Sequence, residues 1–217
     1  MQDTTILGAS DEVDFWRVFV HTQQFKTWLD DSYPTPELDP AVVEHIQREK
    51  EGKVLDVGSG VVSILRGTVI PTSRLYAADL LSREYEKFFP YNTLGILPPL
   101  SCSAEALNFD SEFQVVHMRN ALDHCQNPAK AFRNLTRAVK TNGLLIIGGF
   151  LNEGDYLHGL GMHQWNIGLN GAYPYIRSIH KEDPALKLDF SQLRPLLSMT
   201  TTLSSQRQWI TWIARKL

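Results

Sequence analysis

Two aspartates and the glycine turn between them carry the clearest chemical signal in the chain. In KVLDVGSGVVS, residues 53–63, an apolar run (Val54, Leu55, Val57) holds the carboxylate of Asp56 near its end and breaks into Gly58-Ser59-Gly60. Glycines at 58 and 60 let the backbone turn sharply and leave no Cβ to block a ligand lying across the end of a strand. That turn is shaped to receive a nucleotide-like cofactor. Asp79 ends the next apolar run, RLYAA, and lies 79 − 60 = 19 residues past the second glycine. An α/β nucleotide site presents a carboxylate there to accept hydrogen bonds from two ribose hydroxyls. Leu80 and Leu81 follow, suited to packing against a flat base.

These groups need a sheet to hold them, and the pattern supplies one. The spacing predicts a buried strand along the Val54, Leu55, Val57 run, a short helix over Val61–Arg66, and a strand over Arg74–Ala78. A helix follows from Ser82 toward Pro90, then a third strand near Leu100–Cys102 and a strand over Phe113–His117. The loop Asn120–His124 ends that strand, Pro128 opens an amphipathic helix capped by Asn142-Gly143, and LLIIGGF is the fifth strand. Alternation of this kind makes a Rossmann-like, doubly wound α/β sheet. Two helices precede it. One spans Asp11–Asp31 with Phe15, Phe19, Thr22, Phe25 or Lys26, and Leu29 on one face, capped by Ser10 or Asp11. Pro34 and Pro36 break it, and Asp39-Pro40 starts the other, which runs to about Glu51.

Composition bounds the function. A chain of 217 residues with 43% hydrophobic residues can bury one α/β core, and one domain is expected: a helical cap over 1–51, a cofactor-binding core over 52–150, a substrate-side insertion over 151–195 and a closing hairpin over 196–217. A net charge of −3 offers no broad cationic field, so nucleic acid is disfavoured as a partner. Cys102 and Cys125 have no metal-ligand spacing and read as reduced thiols. The start of the chain lacks an apolar targeting segment and no run is long enough to span a membrane. A cytoplasmic protein of unknown oligomeric state is expected.

VLDVGSG, the acid at Asp79, SAEAL before the FQVV strand, RNALDHCQNP, and the strand after NGLLII resemble the successive motifs of class I S-adenosylmethionine-dependent methyltransferases across roughly residues 50–150. The resemblance implies a seven-stranded, mostly parallel sheet closed by an antiparallel hairpin, here Leu196–Leu203 and Gln208–Ala214 about a Ser204-Ser205 turn. It implies S-adenosyl-L-methionine as cofactor. Asp56 and the Gly58-Ser59-Gly60 backbone would hold its methionine part, Asp79 its ribose, and Leu80 one face of adenine. Ser103, Ala104 and Glu105 would border the adenine edge, with Arg119 and Asn120 near the amino group. Two positions depart from the family: Val62 replaces its third glycine, and Ser103 stands where an acid is common. A nicotinamide enzyme is the rival reading. It would need glycine at Ser63, and Asp56 would repel a pyrophosphate, whereas a sulfonium with a cationic amino group carries no phosphate.

Chemistry on the acceptor side follows from the same resemblance. Strand ends four and five flank the methyl donor, which places His124 and the polar, aromatic segment after residue 150 beside the acceptor. Asn152-Glu153 followed by HQWN resembles a group of bacterial methyltransferase-like proteins, some linked to polysaccharide or small-metabolite biosynthesis. His124 and His163 are the expected catalytic bases for a hydroxyl or amine acceptor. Asp123, Glu153, Trp165 and Asn166 are expected around the substrate, Trp165 walling off the acceptor or else anchoring the core. No metal is demanded, although Asp123, Asn152 and Asp155 form an alternative ligand set. The expected function is methyl transfer to an oxygen or nitrogen of a small molecule, in polysaccharide or secondary-metabolite biosynthesis. The alternative is a non-catalytic S-adenosylmethionine-binding subunit or regulatory protein.

Overall fold

In the computed structural model, which describes residues 8–29, 38–67, 69–180 and 184–217, the chain begins with three helices. The single helix expected over Asp11–Asp31 is two, α1 (Ala9–Phe19) and α2 (Gln23–Leu29). Thr22 makes the break: its hydroxyl donates to Phe19 O and accepts from Phe25 N, so it caps the second helix. Gly8, rather than Ser10 or Asp11, stands at the start of α1. The buried face is also shifted, because Val13, Trp16 and Phe25 are covered while Phe15 is 53% exposed. The Pro34-Pro36 break lies outside the described residues. α3 (Pro40–Arg48) carries the expected cap, with Asp39 accepting from Ala41 N.

The sheet follows. β1 (Lys53–Val57), β2 (Leu75–Asp79), a two-residue edge β3 (Leu100–Ser101), β4 (Phe113–Arg119) and β5 (Val139–Phe150) lie parallel. Between β2 and β3 run the single-turn helices α4 (Ser82–Tyr85) and α5 (Tyr91–Leu94), and α6 (Pro128–Ala138) crosses from β4 to β5. After β5, α7 (Glu153–Tyr156) leads into a separate hairpin of β6 (Trp165–Asn170) and β7 (Tyr173–Ser178). The chain then closes the main sheet with β8 (Leu193–Thr202) and β9 (Gln208–Lys216), both longer than expected. The order is β3-β2-β1-β4-β5-β9-β8, with β9 antiparallel to β5 and to β8. Central strands in such a sheet are covered on both faces, which is why Val54, Leu55, Val115 and Val116 are 0 to 1% exposed.

Two expectations fail for identifiable reasons. No helix forms over Val61–Arg66. The bond that would close its first turn runs from Leu65 N to Val61 O, but Leu65 N donates to Ser63 Oγ and Val61 O accepts from the Tyr91 hydroxyl. So short a segment, rich in β-branched residues, cannot outweigh those bonds. Asn142-Gly143 does not cap α6 either. Val139 is already paired to Phe113, so the helix stops at Ala138, and the register passes from Phe113↔Val139 to Val115↔Leu144. The surplus residues bulge out through Asn142 at φ 62°.

Candidate active site

The C-terminal ends of β1, β2 and β4 open into a cavity of about 1320 Å³. At the end of β1, Gly58 and Gly60 both hold φ 66°, the left-handed region that favours glycine. A Cβ on Gly60 would lie 2.1 Å from the Trp16 ring, so α1 packs its indole directly on the turn. The turn's N–H groups are tied to β2: Gly58 N and Ser59 N donate to Ala78 O, and Gly60 N donates to Asp79 Oδ2 at 2.9 Å. The helix start expected beside this turn is absent, and with it the array of free donors that a pyrophosphate would use.

Asp79 is 8% exposed and also accepts from Leu81 N at 2.8 Å, with Tyr85 as a further hydrogen-bond partner. Burial pushes its carboxyl up to about 6, against the lowering effect of the two backbone donors. Asp56 is more enclosed. Its Oδ2 accepts from Ser63 Oγ at 2.6 Å and its Oδ1 pairs with His117 Nδ1 at 2.7 Å, the two residues facing each other across β1 and β4. Both oxygens of Asp56 are thus engaged by the protein itself.

The opposite rim is built by Ser103, Ala104 and Glu105, held in place by Asn134, whose side-chain amide donates to the carbonyls of Ala104 and Glu105. Glu105 in turn accepts from Asn127 N. Arg119 lies 4.5 Å over the Trp209 ring, and Asn120, at φ 50°, has a buried Oδ1 without a hydrogen-bond partner. Cys102 and Cys125 also border the space, and burial raises both thiols, so neither is poised as a thiolate.

Three groups meet at the far wall. Asp123 Oδ2 lies 2.7 Å from His163 Nδ1 and 3.6 Å from His124 Nε2, and the two imidazole nitrogens are 3.1 Å apart. Burial pushes the Asp123 carboxyl up, but the two rings outweigh it and hold the group below its ordinary value. His163 is raised: burial lowers it, and the hydrogen bond and charge of Asp123, with Glu153 and Glu12 adding, more than compensate.

A methyltransferase-domain family profile matches residues 55–147. Residues 55–147 carry a methyltransferase domain. Its fold is similar to a protein from Pyrococcus horikoshii OT3 at 13% identity, covering 94% of this chain and 99% of that one, with a TM-score of 0.58. An S-adenosylmethionine-dependent methyltransferase from Clostridium acetobutylicum ATCC 824 aligns at 12% identity over 95% and 98% of the two chains, TM-score 0.53. A 1,6-didemethyltoxoflavin-N1-methyltransferase from Burkholderia thailandensis, solved with 1,6-didemethyltoxoflavin and S-adenosylhomocysteine bound, aligns at 15% over 96% and 88%, TM-score 0.50. No curated protein sequence matches the chain.

The methyltransferase cavity is lined by all of Asp56, Gly58, Ser59, Gly60, Asp79, Leu80, Ser103, Ala104, Glu105, Arg119 and Asn120, and by His124. The other acceptor-side residues stand behind its wall. His163 touches Asp123 and His124 there, and its neighbour Met162 reaches the cavity instead. Trp165 donates its indole N–H to Cys125 O and packs on the core, so it is an anchor and not a pocket wall. Asn166 is fully buried, accepting from Asp155 N, and Glu153 pairs with Arg207. Nor do Asp123, Asn152 and Asp155 converge: Asp155 pairs with Arg177, and Asn152 accepts from the Tyr175 hydroxyl.

Sequence reasoning missed several residues. His117 holds Asp56 from 61 residues away, brought there by the register of β1 against β4, and Asn134 holds the 103–105 rim from α6. Glu12, Phe15, Trp16, Phe19 and Trp28 line the cavity from α1 and α2. Their aromatic stripe was the available signal.

Proposed function

We propose that the protein transfers the methyl group of S-adenosylmethionine to an oxygen or nitrogen of a small molecule. The observation that carries this reading is one cleft shared by the glycine turn, Asp79 and His124, at about 1320 Å³. A single drug-sized ligand needs roughly 300–1,000 Å³. The excess leaves room for an acceptor beside the cofactor.

The residues fit the cofactor. The glycine turn lines the cavity beneath Trp16, Asp79 offers a carboxylate to the ribose, Leu80 faces the cavity for adenine, and the orphaned Asn120 Oδ1 awaits a donor such as an amino group. When bound, the cofactor supplies a methyl carbon already activated by its sulfonium. The protein's own work is then to align the acceptor and exclude water. Trp16, Phe19 and Trp28 from the N-terminal helices roof the space. His124 faces the cavity and takes the acceptor's proton, with Asp123 and His163 positioning it.

Val62 and Ser103, the two departures from the family pattern, motivate the non-catalytic alternative; Ser103 lines the cavity, but the placement of Val62 weakens its part of that motive. Its side chain packs among Trp16, Phe25 and Tyr85 and does not line the cavity, so the missing glycine costs the site no space. No helix among the described residues is long and apolar enough to cross a membrane. A cytoplasmic setting suits the two free thiols. The test is a screen of hydroxyl- and amine-bearing small molecules for consumption of methyl-labelled cofactor. Labelled product from one class carries the reading. Tight cofactor binding with no turnover across the screen would favour the binding subunit.

A further inference from the structure

Asp123, His124 and His163 bring three lone-pair atoms to one point, and hydrogen bonding alone cannot serve all of them. An imidazole nitrogen carries at most one hydrogen. With Nδ1–H of His163 given to Asp123 Oδ2 at 2.7 Å, His124 Nε2 stands 3.1 Å from the same nitrogen, and it must share that hydrogen or set its own N–H against it. Its separation from Asp123 Oδ2, 3.6 Å, is too long for a hydrogen bond of its own. A cation at the centre resolves the conflict. Nitrogen and oxygen ligands at the usual bond lengths to one ion stand about 3.0–3.4 Å apart in octahedral and tetrahedral shells. The three separations, 2.7, 3.1 and 3.6 Å, bracket that range.

The surroundings favour positive charge. His163 feels the carboxylates of Asp123, Glu153 and Glu12. Glu153 is 5% exposed, and while Oε1 is paired with Arg207, its Oε2 is buried without a hydrogen-bond partner. The side chains of Asp123, His124 and His163 are themselves 4%, 11% and 18% exposed, so their positions are set by packing rather than by solvent. Two imidazoles and one carboxylate suit zinc, iron or a neighbouring transition metal better than magnesium or calcium, which prefer oxygen alone.

We propose that Asp123 Oδ2, His124 Nε2 and His163 Nδ1 bind one divalent transition-metal ion at the wall of the cavity. His124 lines that cavity, so a further coordination position can open toward it, as in catalytic rather than structural sites. With the ion bound, an acceptor oxygen would occupy that position and lose its proton to water instead of to His124, whose free lone pair the ion would take; that use rests on the methyl-transfer reading above. Ion binding does not rest on it.

The test uses the full chain without an affinity tag, stripped with a chelator and titrated with Co²⁺ by visible absorption and with Zn²⁺ by calorimetry. One equivalent is expected to bind, and His163→Ala and Asp123→Ala should each weaken it about 100-fold or more, beyond the effect of losing an outer partner. Adenosine binding reports whether each variant is folded. A variant that fails this control is replaced by His124→Ala, and the wild-type titration stands without any variant. Absence of a saturable single equivalent in the wild type overturns the proposal, as does undiminished binding in a folded variant. Failure to find an acceptor, with cobalt bound as described, would count against the methyl-transfer reading and leave the ion site standing.

Discussion

At the scale of single residues, the two aspartates of the cofactor end do different work. Asp56 has both oxygens engaged by Ser63 and His117 within the sheet, with side chains 2 to 3% exposed, so its loss leaves a buried partner stranded. Asp56→Ala is expected to cost about 3–5 kcal/mol of stability, read as a lowered denaturant midpoint. A variant as stable as the wild type but blind to cofactor would contradict that structural role. Asp79 also has both oxygens engaged, by Gly60 N and Leu81 N, but it is 8% exposed and lines the cavity, where its remaining lone pairs can accept from a ligand, and Asp79→Ala should weaken cofactor binding by about 1–3 kcal/mol. Its carboxyl, held up at about 6 by burial, sets the pH dependence. The ribose hydroxyls donate to the ionised form, so binding favours the carboxylate and affinity is lost as pH falls through 6. Adenosine, which carries the ribose without the amino-acid charges, is the ligand to use. Its affinity should drop between pH 7 and pH 5 in the wild type and stay flat in Asp79→Asn; equal slopes would remove Asp79 from the ribose. Of these placements, only that of Asp79 at the cavity was legible in the sequence. The partner of Asp56 lies 61 residues away and is brought to it by the register of β1 against β4.

At the scale of elements, strands were read more accurately than helices. β1, β4 and β5 were found from their apolar runs, because strands covered on both faces are continuous in sequence. The helix expected at Val61–Arg66 fails for tertiary reasons, since the hydroxyl of Tyr91, from α5, takes a carbonyl that the helix would need. The split of the N-terminal helix is instead local. Thr22 closes one helix and caps the next, so Thr22→Ala should destabilise α2 by about 1 kcal/mol. Because α1 and α2 carry Trp16, Phe19 and Trp28 over the cavity, the same change should raise hydrogen exchange across residues 9–29 more than in the central strands. Uniform exchange in both regions would detach these helices from a covering role.

At the scale of the whole molecule, the acceptor wall exists only because the sheet order sets two distant segments side by side. Asp123 and His124 follow β4, His163 comes from the segment after β5, and those strands are neighbours in the sheet. That juxtaposition was legible from strand order, whereas the choice between the two readings of Trp165, acceptor wall or core anchor, was not, because the separate hairpin that carries it has no counterpart in the repeating pattern. The glycine turn, Asp79 and the 103–105 rim come from β1, β2 and the segment after β3, whereas the side-chain partners of His163 are Asp123 and His124. Removing His163 therefore should separate two measurements that a general loss of structure would move together. In His163→Ala, adenosine affinity is expected to stay within about twofold of wild type, while turnover on an acceptor found by the screen falls about 100-fold or more, the range for losing a proton-transfer group or its support. Some stability should be lost as well, about 1–3 kcal/mol, because Asp123 keeps its burial and loses its shortest hydrogen bond. His163→Asn, which can still donate toward Asp123, should recover part of the stability and little of the turnover. If turnover instead returned with stability, His163 would act through packing alone, and His124 would have to remove the acceptor's proton without it.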